Sequence, residues 1–595
     1  MVNRIERKLR EKWFLKNKKE DFAKIANENH ISEVLARLLV NRDIVESKDI
    51  HTYLHSSIDT MHNPHQLKDV DYACEILEEK IKENKRIRIV GDYDVDGVAS
   101  TFLLYTALQR VGANVDYEIP ERMKDGYGIN INIIEAAREA SIDTIITCDN
   151  GIAAIEQTRY AKEIGMTFII TDHHDIPFVE EDGVRTDVLP PADAIVNPKQ
   201  HDCKYPFSAI CGAVVAYKLI EVLYERFSVD KREVEELLAY AAIATVCDVM
   251  DLVDENRVIV KYGLELLKKT DNKGLKALIE LHQINTYKLS AYHLGFIIGP
   301  CLNASGRLET AKIGLSLLLE QDGETARQIA IQLKELNDKR KDMTARGVEQ
   351  AIEMIETTDL INDKVLVVYL PDCHESLAGI IAGRLRERYH KPAIVLTKAI
   401  EGVKGSARSI EQYNMFEELT KCKEYLGKFG GHPMAAGLSL EEENIKPLRN
   451  ALNERTILVE DDFINKISID VVMPLGYVKE ELVEELELLE PFGKGNEKPV
   501  FAEKDLSIIK ADILGKNRNT LKLKVENQYG KRMDALYFNQ IDQFNEYLID
   551  KYGNNEVDKL YKGIPNDIKV SVVYYPNINE YNGMKTPQII IQGIQ

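Results

Sequence analysis

The sequence predicts an α/β protein built as a parallel-sheet lobe, a long connecting helix, a second α/β lobe and a C-terminal all-β domain of the OB type. Three observations carry this. Between Lys85 and Cys247 short apolar runs alternate with helix-period segments, the pattern of a largely parallel, doubly wound sheet. From Glu324 to Glu356 the chain is charged and periodic without a break, as a helix joining two lobes would be. From about Phe463 short strands and turns take over, which suits a small barrel. A chain of 595 residues is too long for one ordinary core. The expected divisions are 1–80, 81–255, 256–356, 357–458 and 459–595.

Residues 1–80 read as a helical lead-in, since Ile31–Arg42 places apolar residues at three- and four-residue spacing. The first residues, MVNRIERKLREKW, are charged and helical in pattern and lack the apolar core of a secretory signal. In the first lobe, Arg86–Val90, Asn114–Pro120, Thr144–Asp149, Thr167–His174 and Ala194–Pro198 read as strands or strand ends. Helices separate them, and two more follow at Ala213–Phe227 and Glu233–Val246. Right-handed crossovers would bring the strand ends to one edge. Residues 256–356 are helical, with GPCLNASGR, Gly299 to Arg307, expected as a loop. The second lobe runs from Lys364–Leu370 through the helix His374–Tyr389 to the glycine-rich Lys428–Leu440. In the last domain Lys522 and Lys524 alternate on one strand face, as backbone-tracking lysines or an ordinary polar face would. Tyr537, Phe538, Tyr574 and Tyr575 are candidates for base stacking, although most barrel aromatics are core.

Composition excludes several classes. No apolar run approaches the ~18 residues of a membrane span. Eight scattered cysteines with no CxxC pair argue against structural zinc and a disulfide framework, and fit a reducing cytoplasm. A net charge of −20 argues against broad nonspecific nucleic-acid binding. A locally basic channel remains open, because basic residues cluster at the N-terminus, at Lys339–Lys341 with Arg346, at Arg384–Lys391 and from Lys516 to Arg532.

The chemistry gathers at strand ends. Asp92, Asp94 and Asp96 crowd one turn after the first strand. Three carboxylates so close repel one another unless they remain a solvated acidic turn or share a cation. Asp149 ends the Thr144 strand, where an Asx turn is the alternative. Asp172, His173 and His174 end the Thr167 strand, and Asp248 ends a helix able to fold back to the same edge. Carboxylates with imidazole and no thiolate pair favour manganese or magnesium over zinc. A shared carboxylate set can hold two ions, activate a bridging water and hydrolyse a phosphate ester or anhydride.

The order DxDxDG, DNG, DHH and a helical Asp resembles the DHH phosphoesterases. GSARS, Gly405 to Ser409, and GGHPMAAG, Gly430 to Gly437, look like the substrate-binding part of the DHH-associated domain. GDYDVDG, GPCLNASGR and EPFGKGNEKPVF resemble the RecJ branch in particular, and the likeness covers nearly all of the chain past residue 80. The resemblance implies a DHH-type lobe and a DHH-associated lobe. It implies Asp94, Asp96, Asp149, His173 and Asp248 as ligands of two Mn²⁺ or Mg²⁺ ions. Asp92 enters as a ligand or its partner, Asp172 orients the histidines, and His174 faces the scissile phosphate. Arg307, Arg408, Ser409, His432 and the amides of Gly430 and Gly431 would bind phosphate. Cys301 departs from the pattern, since an arginine is usual there. The implied activity is exonuclease action on single-stranded DNA, 5′-to-3′, in repair and recombination. A monomer off the membrane is expected, with a single-strand-binding protein and a helicase as partners. The alternatives are an oligonucleotide or cyclic-dinucleotide phosphodiesterase and a noncatalytic DNA-binding scaffold.

Overall fold

The structure, a computed structural model, describes residues 11–181, 184–515, 518–581 and 583–595. The first ten residues and Lys516, both singled out above for charge, lie outside the described residues. The chain forms two compact units, Ser57–Ile457 with Gly493–Gly495, and Met1–Ser56 with Leu458–Phe492 and Asn496–Gln595. No described helix is long and apolar enough to cross a membrane.

The first unit opens with a five-stranded sheet of Arg86–Val90, Asn114–Glu118, Thr144–Cys148, Thr167–Thr171 and Ala194–Val196. Every neighbouring pair is parallel. The Arg86 strand lies between Asn114 and Thr144, so the winding reverses there. Such a reversal opens a crevice at the carboxyl ends of the two strands. The helix Val95–Arg110 leaves this crevice buried along most of its length, packed on Gly212–Arg226 and Leu238–Cys247. That explains its weak apolar periodicity, since a helix covered on all sides has no polar face.

The expected connecting helix is Gly323–Thr357, 35 residues long and capped by Asp322, which accepts from the Thr325 amide. The second lobe is a mixed five-stranded sheet ordered Phe429–His432, Ala435–Leu440, Val403–Arg408, Ala393–Lys398, Leu366–Tyr369. Only its last pair is parallel.

The expected loop at GPCLNASGR is instead a helix, Gly299–Leu308, entered through a π-helical turn, Leu294–Ile298. Its glycines serve close packing, not a turn. A Cβ on Gly299 would stand 2.2 Å from Cys247 Sγ, and one on Gly306 would stand 2.1 Å from the Tyr93 carbonyl oxygen.

In the second unit Phe501–Leu514, Thr520–Glu526, Arg532–Phe538, Met584–Ile594 and Lys569–Tyr581 pair in that order. Phe501–Leu514 also pairs with Lys569–Tyr581, which closes the barrel. The domain is not all-β, because helices Ile541–Tyr552 and Asn554–Lys562 intervene between strands. Tyr537, Tyr574 and Tyr575 are core, whereas Phe538 is 42% exposed. The 1–80 segment does not stand as a domain. Glu11–Leu15 is a strand, paired in parallel with Asn465–Ile469. Helices Phe22–Asn29, Glu33–Val40 and Ser47–Leu54 follow. Eight-residue helices are too short to be stable alone, and Leu35, Leu38 and Leu39 share one core with Leu475, Leu486 and Phe501.

Candidate metal centre

Each acidic group is placed by local backbone chemistry. Asp94 caps the Val95–Arg110 helix, its Oδ1 accepting from the amides of Asp96 at 2.9 Å and Gly97 at 3.1 Å. Gly97 lets the turn close, since a Cβ there would lie 2.4 Å from the Asp92 carbonyl oxygen. Asp96 is buried at the N-terminus of the Gly212–Arg226 helix, accepting from the Gly212 and Ala213 amides at 2.7 and 2.8 Å. Asp149 takes a left-handed backbone, φ 60°. Its neighbour Asn150 ties the turn down, donating to the carbonyls of Val90 and Cys148 at 3.0 and 2.9 Å. Neither side chain makes the Asx turn, since Asp149 Oδ1 has no hydrogen-bond partner among the described residues and Asn150 Oδ1 accepts from the Ile129 amide at 3.2 Å. Asp172 accepts from the amides of Ile152, His173 and His174 and from His174 Nδ1 at 2.7 Å. It orients His174 through the ring, and His173 only through the backbone.

His173 Nε2 points into the cluster. It lies 3.2 Å from Asp149 Oδ1, 3.6 Å from Asp96 Oδ2 and 3.7 Å from Asp248 Oδ2. Ligand atoms of Asp149, His173 and His174, of Asp96, His173 and Asp248, and of Asp92, Asp94 and Asp149 fall within 4.8 Å of one another in each set. The sets overlap at Asp149 and His173.

The residues fit a divalent cation. Asp92 Oδ1 and Asp149 Oδ1 are buried without a hydrogen-bond partner among the described residues. Buried polar atoms left so are costly unless something pairs with them. Burial, then the neighbouring carboxylate of Asp94, pushes Asp92 well above the ordinary carboxylate range. Burial and Asp96 push Asp149 well above it too, raise Asp94, and raise Asp248 to about 8. Burial also opposes charge on Asp172, but its His174 bond prevails and holds it at about 2. The same bond outweighs burial of His174 and lifts it to about 9. Burial keeps His173 neutral-leaning, as a ligand imidazole must be. The nearby thiols of Cys148, Cys211 and Cys247 are pushed up by burial, so the donor set is oxygen and imidazole.

Arg307, on the Gly299–Leu308 helix, reaches across to the second lobe, its Nη1 donating to the Ser376 carbonyl at 2.8 Å. Burial, then the charges of Arg122, Arg340 and Arg408, lowers its pKa to about 10. Arg408 ends the Val403–Arg408 strand. His432 Nδ1 is 3.6 Å from Asp175 Oδ2, so the Gly430–His432 hairpin edge meets the loop that follows Asp172–His174. Gly430 has open space around it, while Gly431, φ 149°, is required by the hairpin itself. Ser409 is not turned toward a ligand. Its hydroxyl is buried and donates to the Tyr413 carbonyl at 2.6 Å, bracing the loop beyond the strand.

Two groups escaped sequence reasoning. Tyr127 donates to the Asp149 carbonyl at 3.1 Å and lies 3.2 Å from the His174 ring nitrogens. The Arg122 guanidinium sits 4.9 Å over the Tyr93 ring. The one signal in the sequence was Tyr127 between Gly126 and Gly128, which the structure holds at positive φ.

The chain matches three family descriptions, the DHH family N-terminal domain over residues 86–245, the DHHA1 domain over 362–457 and the RecJ OB domain over 469–593. It is 36% identical over 586 residues to the single-stranded-DNA-specific exonuclease RecJ of Bacillus subtilis, covering 98% of this chain and 70% of that one. It is 32% identical to the Haemophilus influenzae protein of the same description, covering 94% and 96%. The crystal structure of RecJ with Mn²⁺ from Thermus thermophilus has the same fold, at TM-score 0.81 and 24% identity, covering 98% of this chain and 80% of that one.

Proposed function

The chain belongs to the RecJ family of DHH phosphoesterases, and from that membership and its acidic centre we propose that it is a divalent-metal-dependent exonuclease on single-stranded DNA. Polarity from 5′ to 3′, a role in repair and recombination, and a cytoplasmic monomer working with a single-strand-binding protein and a helicase belong to the same proposal. One observation carries the chemistry, the overlap of the three candidate ligand sets at Asp149 and His173. That overlap supports two neighbouring Mn²⁺ or Mg²⁺ sites, with Asp92, Asp94 and Asp149 on one side and Asp96, His173 and Asp248 on the other. A divalent ion bound there lowers the pKa of water and neutralises charge on phosphoryl oxygens.

The chain's own groups do the rest. His174, kept protonated by Asp172, faces the scissile phosphate and donates a proton or hydrogen bond. Arg307 from the Gly299–Leu308 helix, with Arg408, His432 and the amides of Gly430 and Gly431 from the second lobe, holds the terminal phosphates. In the barrel, exposed Lys524 and exposed Phe538 supply charge and a stacking face for the incoming strand, whereas half-buried Lys522 is paired with Asp534 at 2.8 Å. The barrel favours long substrates over dinucleotides.

The test is Mn²⁺-dependent digestion of a 5′-labelled single strand, the matching duplex and a dinucleotide. The long single strand is expected to be cut fastest, and Asp149→Ala to lose the activity. Equal rates on strand and duplex, or an active Asp149→Ala, sink the proposal.

A further inference from the structure

The basic segment Lys339–Lys341 lies midway along the 35-residue helix, which packs against the Gly299–Leu308 helix. Cys301 and Asn337 meet where they pack. Asn337 is buried, and its Nδ2 donates to Cys301 Sγ at 3.4 Å. Its Oδ1 accepts from Arg340 Nε at 3.1 Å. The amide therefore has a fixed orientation, with the sulfur behind it and the guanidinium ahead.

Two further contacts show where the two helices lead from this point. Gly347 lies against Ile381, where a Cβ would stand 2.6 Å from Cδ1. Arg307, six residues beyond Cys301, reaches the Ser376 carbonyl. Both helices thus run from the Cys301–Asn337 contact toward the 376–381 segment, and Arg340, two turns before Gly347, shares the helix face that Gly347 presents there. The two guanidiniums feel each other, since Arg340 is among the charges that, after burial, lower the pKa of Arg307. The bond to Asn337 uses Nε and leaves the outer fork of Arg340 for a ligand. An arginine at position 301 could not accept from Asn337, because a guanidinium has no acceptor. Cysteine can.

We propose that Arg340 binds a backbone phosphate of the single strand, with Asn337 and Cys301 behind it as positioning residues. The proposal rests on the single-strand reading above. It adds a contact from the connecting helix to those of Arg307 and Arg408.

The test uses the full chain. Steady-state kinetics with Mn²⁺ are measured on a long 5′-phosphorylated oligo(dT) and on a 5′-phosphorylated dinucleotide. Binding of the same oligo(dT) is followed by anisotropy in EDTA over a salt series. Arg340→Ala is expected to raise KM and Kd for the long strand roughly tenfold, the loss of one charged hydrogen bond. It should flatten the plot of log K against log salt by about 0.7, one phosphate contact on a single strand. kcat and dinucleotide turnover should hold. Arg340→Lys should restore the salt slope, Cys301→Ser should behave as the parent, and Cys301→Ala should move KM toward the Arg340→Ala value. An unchanged Kd and salt slope in Arg340→Ala overturns the proposal. If that variant misfolds, Arg340→Gln is read in the same way. A parent that binds the strand without cutting it overturns the exonuclease reading, and the slope still decides Arg340. A parent that binds no single strand overturns both.

Discussion

The carboxylates at the sheet edge are of two electrostatic kinds. Asp172 collects three amides and an imidazole and keeps its charge in the interior. Asp92, Asp94, Asp149 and Asp248 are raised above the ordinary 3.8 by burial and by neighbouring carboxylates, Asp96 foremost for the last three, with Asp248 at about 8. Groups raised in this way bind protons more tightly folded than unfolded. Their stabilising contribution is complete below the unfolded value and is lost as pH rises through the folded one. His174, raised to about 9, has the same sign. Asp172, depressed to about 2, has the opposite sign but acts only in acid. The metal-free protein should therefore lose thermal stability from about pH 4 to about pH 9, and Mn²⁺ should restore more of it at the alkaline end. Differential scanning calorimetry in EDTA and in Mn²⁺ checks this, and a metal-induced Tm shift independent of pH contradicts it. The ligand candidates were legible because each ends an apolar run, and a charge there has few structural reasons to exist. Ser409 was misread because its acceptor, the Tyr413 carbonyl, depends on a loop conformation that residue type does not reveal. Tyr127 went unseen because its partners lie 22 and 47 residues away.

At the scale of elements, helix ends aim the site. The Gly212–Arg226 helix holds Asp96 by two amides, and its first residue lies against Asp149, where a Cβ would come within 2.7 Å of the Asp149 Cβ. Gly212→Ala should displace both acids together. Its stability cost should be about 1–3 kcal/mol, the usual penalty of overpacking. The larger effect should be on metal affinity, expected to fall at least tenfold in a Mn²⁺ titration followed by electron paramagnetic resonance. Gly323→Ala, at a helix start with open space around it, is the control and should change neither. A Gly212→Ala variant with parental Mn²⁺ affinity refutes the steric argument. The alternation of strand and helix was readable because buried strands and helices repeat at different periods. The helix at Gly299–Leu308 was not, because its glycines answer Cys247 and Tyr93, which are distant in sequence.

For the whole molecule, the two units determine where the chain can be divided. A fragment of residues 57–457 keeps every candidate ligand and the phosphate-binding lobe. It should cut short 5′-phosphorylated oligonucleotides with Mn²⁺ while losing its advantage on long ones. A fragment of residues 1–457 leaves Leu35, Leu38 and Leu39 without Leu475, Leu486 and Phe501, and should bind a hydrophobic dye and enter aggregates on size-exclusion chromatography. Equal behaviour of the two fragments contradicts the division. Periodicity could not foresee this, because it describes each segment's own face and not the distant segment that covers it.

The shared core of Leu35, Leu38 and Leu39 with the barrel also has a consequence measured in time. During synthesis the first 56 residues emerge early, and their partners from residue 458 onward emerge roughly 400 residues later. At about 5–20 residues per second that interval is roughly 20–80 s. Throughout it a leucine-rich helical segment waits uncovered on the ribosome while the metal-binding unit has time to fold behind it.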